Sequence, residues 1–301
     1  MKVIIAGGSG FVARGIVEQL ARESHEIVLL TRRTAHSVPV WQGVRAVQWD
    51  ARSVGGWSAE LEKSDVVMNF AGEPLDAKRW TSHQKNVIIA SRVDATRALV
   101  DAIRRASNKP SVLINASAVG YYGAVEHEDV TEDRGAGSDF LARVVEAWEK
   151  EAKAAEQLGV RVVLLRMGVV LARDGGALRK MALPFKFYLG GYLGSGRQWF
   201  PWVHRDDVAN VVKFALQHAA LSGPVNVVAP EPVTMKQFCA ALGKAMRRPS
   251  WAPVPSVMLK LALGEMADML LTGQRVVPAK LLKHNYNFLY PGLDAALRSI
   301  F

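Results

Sequence analysis

The sequence of 301 residues contains a single cysteine, Cys239. One cysteine excludes an internal disulfide and suits a reducing compartment, so we expect a cytoplasmic protein. Long apolar runs are also missing, since no stretch reaches the roughly 18 uninterrupted apolar residues of a membrane-spanning helix. The opening MKVIIAGGSG has only a short apolar segment before its glycines, which fits a buried strand better than a signal peptide. We therefore expect no membrane contact.

Acidic residues are in the minority, because 38 Lys and Arg face 28 Asp and Glu and leave a net charge of +10. Such an excess favours anionic partners, whether nucleic acid, a membrane surface or a phosphorylated cofactor. The basic residues are scattered in short groups such as Arg104-Arg105 and Arg247-Arg248. There is no basic tail and no basic strand with interleaved aromatic residues. This pattern disfavours nucleic-acid binding.

The N-terminal segment has the pattern of a nucleotide-binding unit. KVIIAG reads as an apolar strand, GGSGFVARGIVEQLARE opens a helix, and HEIVLLTRR forms a second strand. Strand, glycine turn, helix and strand within about 30 residues are typical of dinucleotide-binding proteins. Gly7 permits the tight turn, Gly10 lets the backbone approach a pyrophosphate, and Ala13 is small enough for the helix to pack on the strand. The alternative is a tight turn without a ligand.

The end of the second strand indicates which dinucleotide is bound. An acidic residue there would bind the ribose 2′-hydroxyl of NAD, whereas arginine accommodates the 2′-phosphate of NADP. This chain has Thr31, Arg32 and Arg33 and no Asp or Glu nearby. The sequence therefore predicts NADP(H), with two solvated arginines as the alternative.

Apolar strands and amphipathic helices continue to alternate along the chain. This alternation predicts an α/β fold, a Rossmann-like doubly wound parallel sheet with a smaller C-terminal substrate lobe. The glycine turn and the ends of the later strands then lie at one edge of the sheet, where such folds bind ligands. We divide the chain into an NADP-binding domain, residues 1–222, of which residues 172–205 contribute to the substrate lobe, and a C-terminal lobe, residues 223–301.

Several motifs resemble a known family. GGSGFVA, NFAGE, SAVGYYG, RMGVVL and FPWVHRDDVA occur in the order and spacing of extended short-chain dehydrogenases/reductases, the NAD-dependent epimerase/dehydratase superfamily. NFAGEPL, KRW, GSGRQWFPWVHRDD and GQRVVPAKLL are similar to an atypical subgroup of it. Its members are described as epimerase family proteins, sometimes as SulA-like cell-division inhibitors, and carry a C-terminal domain of unknown function. The resemblance covers essentially the whole chain and implies NADP(H) binding with an undetermined substrate.

The resemblance also implies a cofactor site, residue by residue. The site comprises Gly7, Ser9, Gly10, Phe11 and Val12 at the pyrophosphate, Thr31, Arg32 and Arg33 at the 2′-phosphate end, Phe70, Ala71 and Gly72 beside the adenosine ribose and diphosphate, Asn86 and Arg92 on the following helix, and Met167 to Val170 beside the nicotinamide.

Active relatives combine a serine at the end of the fifth strand with a Tyr and a Lys four residues apart on the next helix. Ser117 matches the serine, but no Tyr in this chain is followed four residues later by Lys. The helix predicted over residues 138–152 has Leu141 and Val145 near the expected positions. We predict that this helix serves packing and that Ser117 and Tyr121 supply any proton transfer. Simple packing of Tyr121 is the open alternative.

Further residues are candidates for the substrate pocket: Glu73, Trp80, Arg197, Trp199 and His204. Core packing is the alternative for the tryptophans, and a structural role is favoured over catalysis for His204. We expect Asp206 or Asp207 to cap the helix that follows. No metal site is predicted.

Three classes of function remain open. The first is a reductase or epimerase-like enzyme that acts on a small-molecule substrate with NADP(H) and a non-standard acid/base. The second is a cofactor-binding sensor or scaffold without turnover, which would report redox state to a protein partner such as the division machinery. The third is a nucleic-acid-associated protein, which is supported by the net charge alone.

Overall fold

The computed structural model describes residues 1–33 and 41–301, and its centre is a seven-stranded parallel sheet. The sheet contains β1 (Lys2–Ala6), β2 (Glu26–Thr31), β3 (Val44–Gln48), β4 (Val66–Asn69), β5 (Val112–Ala118), β7 (Arg161–Met167) and β10 (Gly223–Val227). Its order is β3-β2-β1-β4-β5-β7-β10. Two small parallel pairs lie outside it and join β6 (Val125–Val130) to β11 (Gln274–Val276) and β8 (Val169–Leu171) to β9 (Trp202–His204). The predicted fold class is confirmed.

Helices cover both faces of the sheet, as its almost uninterrupted apolar strands require. They are α1 (Phe11–Arg22), α2 (Ser82–Arg105), α3 (Phe140–Lys153), α4 (Gly176–Lys186), α5 (Arg205–Gln217), α6 (Met235–Met246), α7 (Ser256–Leu263), α8 (Asp268–Leu271), α9 (Ala279–Lys283) and α10 (Leu293–Ile300). The buried residues of α1 and α5 share one core with the sheet, and those of α2 share a second core on the opposite face. Within the two described ranges, no helix is both long enough and apolar enough to cross a membrane.

The strand register brings the polar ends of several strands to one edge. Ala6 of β1 pairs with Asn69 of β4, and Asn69 pairs with Asn115 of β5. Further along β5, Ser117 pairs with Arg166 of β7. Since parallel strands end on the same side of a sheet, these residues and the glycine turn after β1 lie along a common edge.

The C-terminal lobe has its own core and begins later than the sequence predicts. Buried residues of α4, α6 and α10 form this third core. Residues 223–227, which we assigned to the lobe, instead form β10, the strand that pairs with β7 in the main sheet. The boundary at residue 222 is therefore wrong, because a short strand at the sheet margin has the same local pattern as a strand of a separate lobe. The short β6 was not predicted either.

Candidate functional site

The turn after β1 is held close to the end of β4 by its glycines. Gly7 has a φ of +73°, and a Cβ on it would lie 2.7 Å from the carbonyl carbon of Phe70. A Cβ on Gly8 would lie 2.5 Å from the Leu29 side chain of β2. Position 7 therefore requires glycine, and the turn lies against Phe70 and Ala71 as a consequence.

The amino terminus of α1 follows this turn without a protein cap. Gly10 is the N-cap and offers no side-chain acceptor, and the first turn of α1 contains no acidic residue. Its first-turn N–H groups and the positive end of the helix dipole are thus left for an anion. Ser9 at the turn is exposed, and Val12 is half-buried. Phe11 packs at the edge of the site against Gly175 and Gly176, which begin α4.

The end of β2 presents two cationic side chains. Arg32 and Arg33 are exposed, whereas Thr31 is buried. The Thr31 hydroxyl accepts a hydrogen bond from the Arg33 N–H at 3.1 Å. Thr31 therefore holds the backbone of the segment that carries the two exposed arginines.

A buried polar cluster fixes the end of β4, and the sequence analysis missed it. The Asn69 side chain donates to Thr96 Oγ1 and to Asn115 Oδ1, each at 2.8 Å, and accepts from the Ala71 N–H at 3.1 Å. The indole of Trp148 in α3 donates to the same Thr96 hydroxyl at 2.9 Å. The cluster joins β4, β5, α2 and α3 and thereby positions Ala71 beside the glycine turn. Its one sequence signal is an asparagine in each of two apolar strands.

Arg92 of α2 anchors the loop after β4. Its guanidinium donates to the carbonyl oxygens of Glu73 and Ile88 at 3.0 and 3.1 Å and lies 5.2 Å from the ring of Trp148. It also packs against Gly72, where a Cβ would lie 3.2 Å from its Cζ atom. Burial lowers the pKa of Arg92 to about 10, so the side chain is still cationic at neutral pH.

Aromatic side chains pack together at the starts of α2 and α3. Trp80 donates its indole N–H to the Leu75 carbonyl oxygen at 2.8 Å and packs edge to face against Phe140 at 5.1 Å. Lys85 of α2 lies over the Phe140 ring and forms an ion pair with Glu265 of the C-terminal lobe. Asn86, predicted to reach the cofactor, is exposed on the same helix.

Helix α3 begins at Phe140, two residues later than predicted, and carries aliphatic residues where the family resemblance implies Tyr and Lys in active relatives. Asp139 is its N-cap and accepts from the Ala142 N–H at 2.8 Å. Leu141 packs on the segment after β5. A Cβ added to Gly120 in that segment would lie 3.3 Å from the Cβ of Leu141. Val145 is buried. Neither side chain can transfer a proton.

The Ser117 hydroxyl is hydrogen-bonded to a buried ion pair. This contact differs from the role in proton transfer that we expected for it. Its hydroxyl is 2.6 Å from Glu149 Oε1 and donates to it. Glu149 of α3 in turn accepts two hydrogen bonds from Arg166 of β7, both at 2.8 Å. All three residues are at most 2 % exposed. The serine is therefore part of the buried packing between α3 and the sheet.

Two adjacent tyrosines contact the same arginine. The face of the Tyr121 ring lies 3.5 Å from Arg166 Cζ, and Tyr121 is half-buried. The Tyr122 hydroxyl accepts from Arg166 at 3.0 Å and donates to Asn226 at 2.6 Å. Burial raises the pKa of Tyr122 to about 12, although the Arg166 charge opposes the shift. Tyr122 is thus fixed in the core, while Tyr121 is half-buried.

The same network extends to the C-terminal lobe through Glu132. Its carboxylate accepts from the backbone N–H groups of Asn226 and Lys280, the latter at the start of α9. The Asn226 side chain also donates to the Val277 carbonyl oxygen at 2.9 Å. These contacts join the main sheet to the segment between β11 and α9.

Residues 167–170 run from the end of β7 into β8. A Cβ on Gly168 would lie 2.7 Å from the Pro201 carbonyl oxygen, so this segment runs in close contact with the chain before β9. Met167 is half-buried, and Val170 is buried in the core shared with α1 and α5.

The three remaining pocket candidates lie on the C-terminal side. Arg197 is exposed, and the Trp199 indole donates to the Glu126 carbonyl oxygen at 3.1 Å. His204 caps α5, because its Nδ1 accepts from the Asp206 N–H at 3.2 Å and its ring packs on Tyr290. These contacts assign His204 to the helix cap instead of the pocket.

The prediction that Asp206 or Asp207 caps α5 is wrong. The Asp207 carboxylate accepts from the backbone N–H groups of Leu289 and Tyr290 at 2.7 and 2.9 Å. It therefore holds the segment before α10, a long-range contact that no local pattern indicates.

Comparison with known proteins agrees with this geometry. The NAD dependent epimerase/dehydratase family matches residues 3–228. This chain belongs to that family. A domain of unknown function, DUF1731, matches residues 254–300, so the family resemblance inferred from the motifs is confirmed in both parts.

Relatives match this family member along its whole length. Epimerase family protein YfhF of Bacillus subtilis (strain 168) is 38% identical over 301 residues, 100% of this chain and 98% of that protein. The chloroplastic SDR39U1 homologue of Arabidopsis thaliana is 39% identical over 302 residues, 100% of this chain and 86% of that protein. The crystal structure of human epimerase family protein SDR39U1 (isoform 2) with NADPH has a TM-score of 0.89 at 34% identity, covering 100% of this chain and 99% of that one.

Proposed function

We propose that this family member binds NADP(H) and acts as an oxidoreductase or epimerase-like enzyme on a small-molecule substrate. The observation that carries the cofactor assignment is the uncapped amino terminus of α1 beside a glycine turn, with Arg32 and Arg33 as the charged residues at the end of β2. The NADPH in the human relative supports the same choice. When bound, the cofactor would supply or accept a hydride.

Each part of the proposed site has a distinct task. The first-turn N–H groups of α1 face the pyrophosphate, while Gly10 leaves space for it, since a Cβ there would contact only the Gly7 carbonyl oxygen. Arg32 and Arg33 pair with the 2′-phosphate by charge-assisted hydrogen bonds. Trp80 and Phe140, packed against each other, cover the substrate and exclude water from it.

Proton transfer in this proposal falls to Tyr121 alone. Ser117 already donates to Glu149, and Leu141 and Val145 have no ionisable group. The Tyr121 hydroxyl has no hydrogen-bond partner among residues 1–33 and 41–301. The Arg166 guanidinium packs on one face of the Tyr121 ring and fixes its position. A substrate oxygen in the cleft could therefore receive the phenolic proton.

Calorimetric titration with NADPH and NADH tests the cofactor. We expect at least about tenfold tighter binding of NADPH, the effect of one charge-assisted phosphate contact. Arg32→Ala should remove most of that preference. Arg105→Ala, at the far end of α2, is the matched control and should leave it unchanged. Equal affinities in the parent protein would refute the assignment.

A screen of carbonyl compounds and nucleotide sugars with NADPH tests the chemistry. For any substrate found, Tyr121→Phe should lower kcat by about 100-fold or more, the usual contribution of a general acid. Tyr188→Phe, on the outer surface of the C-terminal lobe, controls for loss of a phenol elsewhere. Full activity of Tyr121→Phe would place the proton donor in another residue.

A second candidate is a cofactor-binding sensor or scaffold without turnover, acting on a protein partner such as the division machinery. The observation that favours it is the aliphatic surface of α3 where relatives have the Tyr and Lys pair. Tight NADPH binding with no turnover across the screen would make this the better function. Protease protection that differs between the NADPH-bound and NADP-bound forms would support a redox signal.

A further inference from the structure

Two segments of the C-terminal lobe expose large apolar side chains. At the end of α4 and just beyond it, Leu183, Phe187, Tyr188 and Leu189 are 53–68 % exposed. Trp251, far away in sequence, is 65 % exposed. Soluble proteins rarely expose several large apolar side chains together unless the surface contacts something.

Backbone hydrogen bonds bring the two segments side by side. The Trp251 indole donates to the Tyr188 carbonyl oxygen, and the Trp251 N–H donates to that of Gly190, both at 2.9 Å. The pairing continues because Val254 N–H donates to the Tyr192 carbonyl oxygen at 2.9 Å. The aromatic side chains therefore belong to one continuous surface.

Helix α7 follows immediately and extends this surface. Its side chains Val257, Met258 and Leu261 are 66 %, 60 % and 75 % exposed. Leu259 is its one buried residue. A short helix that packs through one residue and exposes three large apolar ones has an uncovered apolar face.

The charges on these segments have one sign. Residues 176–192 contain three Lys or Arg, residues 244–263 contain four, and neither segment contains Asp or Glu. Lys180, Lys244 and Lys260 have acidic partners in Asp76, Asp294 and Asp268. Four basic side chains have no ion-pair partner among the described residues: Arg179, Lys186, Arg247 and Arg248.

The basic character continues into an adjoining groove. This groove has a volume of about 590 Å³, and Lys244, Arg247 and Arg298 line it together with Phe301. Asp294 is the one acidic residue among its lining residues. Cations beside apolar surface suit an anionic head group whose chains lie against the apolar part.

We propose that residues 176–192 and 244–263, here called the apolar-basic surface, dock the protein onto an anionic lipid bilayer. Trp, Tyr and Phe side chains are favoured at the membrane interface, and Lys and Arg are attracted to anionic lipid. A second copy packed through the same face would bring the unpaired cations of both subunits together, which opposes a symmetric dimer. The surface lies on the membrane and does not span it, which revises the expectation of no membrane contact.

Vesicle flotation of the NADPH-bound protein tests the proposal. We expect binding to vesicles of phosphatidylglycerol and phosphatidylcholine, little binding to phosphatidylcholine alone, and release at high salt. Lys186→Gln with Arg247→Gln should weaken binding about 25-fold, about fivefold for each charge removed. Phe187→Ser with Leu261→Ser should weaken it about tenfold or more. The matched controls are Arg105→Gln and Leu289→Ser, which lie outside the surface and should bind like the parent.

NADPH affinity is measured for every variant and should stay unchanged, so a failure here is separable from a failure of the proposed cofactor. Absence of vesicle binding, or equal binding to neutral and anionic vesicles, would overturn the proposal.

Sedimentation equilibrium without lipid gives a further check. A dimer that the Phe187→Ser and Leu261→Ser changes dissolve would assign the surface to a second copy. Tighter binding to single-stranded DNA than to anionic vesicles would assign it to nucleic acid.

Discussion

Along the carboxyl edge of the sheet, the half between β2 and β4 is lined largely by backbone, whereas the half between β5 and β7 is filled by side chains. In the first half Gly7 and Gly10 form a turn whose N-cap, Gly10, gives the start of α1 no side-chain hydrogen bond. In the second half Glu149 and Arg166 form a buried ion pair that also accepts the Ser117 hydroxyl hydrogen bond. Both halves belong to the same sheet and differ in what they leave available to a ligand.

In our proposal, the two halves of the edge therefore have different tasks: the first binds the cofactor, and the second would supply the proton. An anion needs only oriented N–H groups and nearby cations, which the glycine turn and Arg32 provide. A proton transfer needs an ionisable group with a free hydrogen-bonding position, and in the second half the partners are already paired. Tyr121, by contrast, is half-buried and has an ionisable side chain. We therefore expect variants of the two halves to separate stability from cofactor affinity.

The largest effect on stability is expected from Arg166→Met. The change leaves the Glu149 carboxylate buried without its partner, which typically destabilises a protein by about 3–5 kcal/mol. Urea denaturation measures the free energy of unfolding. NADPH affinity should change much less, because the cofactor half does not contact this pair.

The double variant Arg166→Met with Glu149→Leu is the control for that prediction. Removing both charges should recover most of the lost stability, since no buried charge is left unpaired. A double variant as unstable as Arg166→Met would mean that the hydrogen bonds to Ser117 and Tyr122 carry the stability instead.

In the cofactor half, Gly7→Ala should destabilise the fold by about 1–3 kcal/mol and also weaken NADPH binding. The φ of +73° disfavours alanine, and the new Cβ would lie 2.7 Å from the Phe70 backbone. Gly10→Ala sharpens the test. Its φ of −72° accepts alanine, so stability should change by only about 0.5 kcal/mol while NADPH affinity falls. If Gly10→Ala left the affinity intact, the pyrophosphate would not lie at this turn.

A further predicted effect, confined to alkaline pH, is a loss of stability caused by Tyr122. Its pKa is raised to about 12 in the folded state, chiefly by burial, from a usual value of about 10. The unfolded chain therefore releases this proton first, and as pH rises above about 10 the equilibrium shifts toward unfolding by about 1 kcal/mol at pH 11. Urea denaturation between pH 8 and 11 should show a shallower decline for Tyr122→Phe. Parallel curves for the two proteins would refute the assignment.

Much of the fold followed from local patterns. Apolar strands and the glycine turn depend on neighbouring residues, so they were predictable. The residues of the proposed cofactor site could be named from the sequence where a single segment carries them, as at residues 7–12 and 31–33. The hydrogen bond of Ser117 was not predictable, because its partner is 32 residues away in α3.

The sequence by itself determined a parallel α/β sheet with a glycine turn for a dinucleotide, because strand and helix periodicity and φ preferences act over a few residues. The tertiary structure alone decided that Glu149 and Arg166 pair beneath Tyr121, that His204 caps α5, and that residues 188 and 251 share a surface. Hydrogen bonds and ion pairs depend on distance in space, and the chain can bring any two buried polar residues together. Their partners are therefore fixed only when the packing of the whole core is fixed.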